Sequence, residues 1–69
     1  MKNRVKEERK NKGITQEELA KLLGVSRQTI ISIESGRYIP STLLSLKISK
    51  FLDQKVEELF ILESEDFEN

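Results

Sequence analysis

The segment Ser26-Arg27-Gln28-Thr29, with Ile31 and Ser32 one helical turn further on, gathers side chains that can read planar polar edges. An arginine fork pairs with guanine O6 and N7, and a glutamine amide pairs with adenine N6 and N7. Thr29 and Ser32 add hydroxyls, which discriminate less. The same residues could equally be plain helix surface, so their meaning depends on what holds them. Little other chemistry competes. The chain has no His and no Cys, which excludes a thiolate nucleophile, an imidazole switch and a Cys/His zinc site. Glu57, Glu58, Glu63, Glu65 and Asp66 fall on a short helix and a tail with no pocket pattern around them, and read as solvating groups. No Gly-rich phosphate loop is present. The expectation is a protein that is not an enzyme, uses no cofactor or metal, and shows no small-molecule ligand.

Charge gives the first hint of a partner. Twelve basic residues balance twelve acidic ones, but they are segregated. Residues 1–52 carry eleven Lys/Arg against five Glu, a net +6; residues 53–69 carry one Lys against seven acids, a net −6. A basic body with an acidic end suits a polyanion on one side. Two solvated faces would give the same count, so charge alone does not decide.

Size sets the organisation. A chain of 69 residues holds one domain. Ile, Leu, Val and Phe make up 22 of them, well above a disordered composition, so a core is expected. The longest apolar run is four residues, Leu59 to Leu62, too short for a membrane span. Basic residues near the start have no apolar stretch behind them, so no secretory signal is expected and a cytoplasmic location is. A core this small rarely supplies more than about 3–5 kcal/mol, and self-association is the natural way to gain stability.

Punctuation residues divide the chain into short helices. Asn3 can cap a helix from Arg4 to about Lys12, ended by Gly13. Thr15 with Glu18 three residues later forms a capping box for a second helix, ended by Gly24. Ser26 caps a third, from Arg27 to about Ser35. Tyr38-Ile39-Pro40 reads as extended loop. Ser41 caps a fourth helix to about Leu52, with Leu44, Ile48, Phe51 and Leu52 inward. A fifth runs from about Val56 to Phe60. From Ile61 onward the chain is ambiguous between strand and disorder. The turn between helices 2 and 3 is the informative feature. Ala20 permits close approach, Gly24 permits the reversal, and Val25, Ile30 and Ile33 anchor helix 3. Arg27, Gln28, Thr29, Ile31 and Ser32 are left facing out, an arrangement suited to the DNA major groove.

The stretch TQEELAKLLGVSRQTIISIESGRYIP, Thr15 to Pro40, resembles the helix-turn-helix of Xre/Cro-type transcriptional regulators. The flanks RVKEERKNKG, STLLSLKISKFL and VEELF extend the resemblance over roughly residues 3–60. Within the family the chain is most similar to small stand-alone dimeric repressors of the cytolysin-repressor kind. The resemblance implies an all-α, five-helix, lambda-repressor-like DNA-binding domain with its helix-turn-helix in helices 2 and 3. It implies base contacts by Arg27, Gln28, Thr29, Ile31 and Ser32. It implies phosphate contacts by Gln16, Ser26, Arg37 and Tyr38, and a structural salt bridge from Arg9 to Glu34. Ile31 stands where the family more often has a polar residue, and either packs on a thymine methyl or is a tolerated surface residue. Glu8 replaces a usual Leu, which thins that edge of the core. Thr42, Ser45 and Ser49 replace Leu, Ala and Ala on helix 4. If buried, the two serine hydroxyls should bond carbonyls four residues earlier.

Residues 1–60 thus read as the DNA-binding domain, and 61–69 as an acidic tail that permits a short β extension and dimerisation. Leu43, Phe60, Ile61, Leu62 and Phe67 are the apolar residues left over for a dimer contact. The partners implied are double-stranded DNA and a second copy of the chain, with no membrane. A two-fold pair would read an inverted repeat and repress by occlusion. The alternative is an antitoxin-type module whose tail, Phe60 to Phe67, neutralises a protein partner while DNA binding is secondary. A structural helical domain without DNA activity is the third reading.

Overall fold

The computed structural model describes residues 1–68, so Asn69, the last residue of the tail assigned to 61–69, lies outside the described residues. Five helices follow one another: α1 (Val5–Asn11), α2 (Gln16–Leu23), α3 (Arg27–Glu34), α4 (Thr42–Leu52) and α5 (Val56–Leu59). Two short strands flank them, β1 (Lys2–Asn3) and β2 (Phe60–Ile61), and a 3-10 turn covers Ser64–Phe67. The fold is the mostly helical one expected, with a small β extension.

Local side-chain chemistry starts three of the helices. Thr15 Oγ1 accepts from the Glu18 N–H at 3.0 Å while Glu18 Oε1 accepts from the Thr15 N–H at 2.9 Å, the reciprocal capping box. Ser26 Oγ accepts from the Thr29 N–H at 3.1 Å, and Ser41 Oγ from the Leu44 N–H at 3.2 Å. Gly24 ends α2 at φ +72°, and the next amide, Val25 N–H, bonds back to the Ala20 carbonyl at 3.0 Å. Lys47 on α4 donates its Nζ to the Leu23 carbonyl at 3.2 Å, satisfying another acceptor at that helix end.

One core joins all five helices: Val5, Leu19, Ala20, Leu23, Ile30, Ile33, Ile48, Leu52 and Leu59 are buried, with Ile14, Val25, Leu44 and Phe60 packed around them. Burying a residue such as Ile30 or Leu19 contributes about 1.5–3 kcal/mol. Holding α3 by Ile30 and Ile33 fixes which of its faces points out.

Several details differ from the sequence reading. Asn3 does not occupy the cap position of α1; Arg4 does, although Asn3 Oδ1 still accepts from the Val5 N–H at 3.2 Å. Phe51 is 40% exposed rather than inward, because the α4 stripe is centred on Leu44, Ile48 and Leu52 and Phe51 lies at its edge. Glu8 is buried, its charge met by the Arg4 guanidinium at 2.8 Å. Ser49 does not bond back along the helix; its hydroxyl donates forward to the Gln54 carbonyl.

The start of the tail is a strand, and its partner is the chain's own beginning. β1 and β2 pair antiparallel, Lys2 opposite Ile61 and Asn3 opposite Phe60. The Arg4 N–H extends the pairing to the Leu59 carbonyl at 2.8 Å. Asn3 Nδ2 donates to the Ile33 carbonyl at 2.9 Å, which ties this small sheet to the end of α3. The Met1 amino group lies 3.0 Å from Glu63 and 3.2 Å from Asp66. Two acidic groups of the tail are thereby engaged within the molecule.

Candidate nucleic-acid interface

The N-terminus of α3 is the place where polar side chains, a helix end and exposure coincide. Ser26 is the capping residue, in an extended conformation, and α3 carries no acid in its first turn. Arg27 and Gln28 are exposed; Thr29, Ile31 and Ser32 are half-buried. The opposite face, Ile30 at 0% and Ile33 at 1% exposure, locks the helix to the core. The five residues expected to face a partner therefore lie on the free side of α3, Arg27 and Gln28 most openly.

Ser26 and Thr29 spend much of their hydrogen-bonding capacity on the helix itself. Besides capping, Ser26 Oγ lies 3.0 Å from Thr29 Oγ1, so the two hydroxyls pair. Pairing draws the Thr29 hydroxyl toward the helix start.

A second group sits beside the first. Gln16, the first residue of α2, is half-buried, and its Nε2 donates to Glu34 Oε1 at 3.1 Å. Glu34 closes α3 and also accepts from Arg9, Nε to Oε2 at 2.7 Å and Nη2 to Oε1 at 3.2 Å. This is the Arg9–Glu34 pair that the family resemblance implies. Arg9 Nη1 further donates to the Ile14 carbonyl at 2.9 Å. The side chains of Arg9 and Glu34 are 8% and 4% exposed, so the pair is removed from water and its geometry is held by several bonds. One N–H of the Gln16 amide is committed to Glu34, and Gln16 lines a recess of about 350 Å³ with Arg9, Thr15, Glu17 and Arg27. Arg27 and Gln16 thus border one surface.

The loop after α3 completes the face. The N–H groups of Arg37 and Tyr38 both donate to the Ser32 carbonyl, at 3.0 and 3.1 Å, and Ser35 Oγ donates to the same oxygen at 3.0 Å. Arg37 and Tyr38 are exposed. With Ser26, Gln28, Thr29 and Ser32, Tyr38 lines a shallow cleft of about 330 Å³. All nine residues expected to touch DNA therefore fall within α3 and its cap Ser26, the first turn of α2 and the loop that follows α3.

The apolar residues expected at a dimer contact are also mapped. Leu43 is 70% exposed, Leu62 61%, Phe67 75% and Ile61 40%; Phe60 instead packs partly against the core. Two exposed neighbours escaped the sequence reading, Ile39 at 61% and Leu46 at 54%. Leu46 is three residues beyond Leu43 on α4, so helical spacing was the available signal. Ile39, Leu46, Phe60 and Leu62 border a groove of about 330 Å³ with Pro40 and Val56. Among the described residues no helix is long and apolar enough to cross a membrane, and no acidic cluster could hold a metal ion.

Known proteins share this arrangement. Residues 5–59 match the family model described as Helix-turn-helix. An HTH-type transcriptional regulator of Methanocaldococcus jannaschii is 54% identical over 66 residues, which is 96% of this chain and 100% of that protein. The HTH-type transcriptional regulator YgzD of Bacillus subtilis is 52% identical over 66 residues, with the same coverage. The restriction-modification controller protein C.AhdI from Aeromonas hydrophila superposes with a TM-score of 0.74 at 38% identity, over 83% of each chain. The match over residues 5–59 spans all five helices, and the chain belongs to the Xre-type helix-turn-helix family of DNA-binding transcriptional regulators.

Proposed function

We propose that the chain is a repressor that binds an inverted-repeat operator as a homodimer, each copy placing the start of α3 in the major groove. Residues 1–60 act as the DNA-binding domain and 61–69 as the tail that contributes to the dimer contact. The observation that carries this reading is the exposure of Arg27 and Gln28 at a capped helix start whose opposite face, Ile30 and Ile33, is fully buried. Arg27 and Gln28 read base edges, with Thr29, Ile31 and Ser32 alongside. Gln16, Ser26, Arg37 and Tyr38 lie around them, and their N–H and O–H groups supply phosphate contacts that fix register. Ser26 does so within the limits of its capping role.

A single domain presents one α3 and reads half a site. A two-fold pair separates two such helices by about one DNA turn, roughly 34 Å. Leu43, Phe60, Ile61, Leu62 and Phe67 provide the apolar surface for that pair, and Leu46 and Ile39 adjoin it. The acids of the tail then sit away from the phosphates.

Two measurements test the reading together. Sedimentation should give a dimer that Leu43→Glu or Leu62→Glu converts to monomer, with operator affinity lost in parallel. Operator binding by a dimer that touches on the order of 8 phosphates should follow a log–log salt slope near about −7. A monomer with full operator affinity, or binding insensitive to salt, contradicts it.

A further inference from the structure

We infer that Tyr38 and Thr29 form the walls of an apolar notch that receives the C5-methyl group of a thymine in the major groove, making Tyr38 a specificity-determining residue. This rests on the DNA-reading role proposed for α3. Three observations carry it. The cleft is lined by Ser26, Gln28, Thr29, Ser32 and Tyr38, and so includes three of the five residues expected to contact bases. Tyr38 is held on α3 by its own N–H and by that of Arg37, both on the Ser32 carbonyl, so its backbone has a fixed place relative to the helix, and its side chain lines the cleft with Thr29. The Thr29 hydroxyl pairs with Ser26 Oγ at 3.0 Å, which leaves its methyl group, rather than its oxygen, as the part free to face a ligand.

The chemistry of such a notch is selective. An aromatic face and a methyl group supply no hydrogen bond to a carbonyl or an amine. They gain from covering apolar surface, and among the four base pairs only the thymine methyl offers that in the major groove. Tyr38 thereby does more than touch a phosphate. Its ring reads a base beside Gln28, which lines the same cleft.

The test replaces thymine with uracil, one position at a time, in a duplex selected by the wild-type protein. One replacement in each half-site should weaken wild-type binding by about three- to fivefold per half-site, the effect of a single methyl group. Tyr38→Ala and Thr29→Ser should bring that ratio close to one; Thr29→Ser keeps the hydroxyl that pairs with Ser26 and removes only the methyl. Tyr38→Phe should keep the ratio, because the ring forms the wall. If uracil costs nothing at every position, or costs as much in Tyr38→Ala as in the wild type, the notch is wrong. If cytosine at that position binds poorly and 5-methylcytosine binds better than thymine, the occupant is a methylated cytosine and the thymine assignment is overturned. Failure of the wild type to select any sequence would instead remove the DNA-reading role on which the inference stands.

Discussion

Gln16 and Glu34 are joined by a 3.1 Å hydrogen bond that links the first residue of α2 to the last residue of α3. The bond runs from an amide expected to face DNA to a carboxylate that Arg9 already neutralises. The two helices of the motif are therefore coupled at a polar point as well as through Leu19, Leu23, Ile30 and Ile33. Their relative angle decides whether Arg27 and Gln16 can meet one duplex at the same time.

Removing the carboxylate should be costly. Glu34→Ala leaves the Arg9 guanidinium buried without its partner, and about 3–5 kcal/mol of stability should be lost in chemical denaturation. Arg9→Met combined with Glu34→Leu should recover much of that loss, since a packed apolar pair avoids the uncompensated charge. Unchanged stability in Glu34→Ala would show that water reaches the pair.

The cap of α3 can be tested alone. Ser26→Ala removes the side-chain acceptor of the Thr29 N–H and leaves the Ser26 carbonyl, and should lower stability by about 1 kcal/mol. Because Thr29 also loses its hydroxyl partner, sequence discrimination should fall further than stability predicts. Melting curves and competition binding, run on the same samples, separate the two effects.

Stability should depend on pH through Glu18. The Thr15 N–H and then the Thr15 hydroxyl hold this carboxyl below its ordinary value of 4.5. A lowered folded-state value contributes stability that is present above 4.5 and is lost as pH falls through the folded value. Thermal melts from pH 7 to pH 3 should show the wild type losing its advantage over Glu18→Gln across that acidic window. An advantage that persists to the lowest pH contradicts the capping role of the charge.

Asp53 ends α4 in the left-handed region at φ +56° without being a glycine. Asp53→Gly relieves that conformation and should raise stability by about 0.5–1 kcal/mol. DNA affinity should not change, since Asp53 lines neither of the two recesses beside α3. Destabilisation would mean that the Asp53 side chain supplies an interaction beyond its backbone geometry.

What the sequence made legible was local. Thr15 with Glu18, Ser26, Ser41 and Gly24 each act within a few residues, so their signals survive in a linear string. The outward set on α3 followed from Ile30 and Ile33, whose spacing fixes the buried face. The β1–β2 pairing was hidden because two-residue strands carry no alternation, and Lys2 and Ile61 meet only once the helices have folded. Phe51 was misplaced because it borders the Ile48–Leu52 stripe, where spacing alone does not separate edge from centre. The burial of Glu8 and the reach of Gln16 to Glu34 depend on side chains from other helices. The resemblance supplied the Arg9–Glu34 pair, which spacing could not.

In the proposed two-fold pair, α3 reads bases through Arg27 and Gln28. Selection of bound duplexes from a random pool, with the wild type and with Arg27→Ala and Gln28→Ala, tests it most directly. The expected result is an inverted repeat with half-site centres about 10 base pairs apart. Each substitution should then cost about 1–3 kcal/mol on that site and relax the preference at its own position. A pool that enriches no repeat, or a repeat recovered unchanged by both variants, would contradict it.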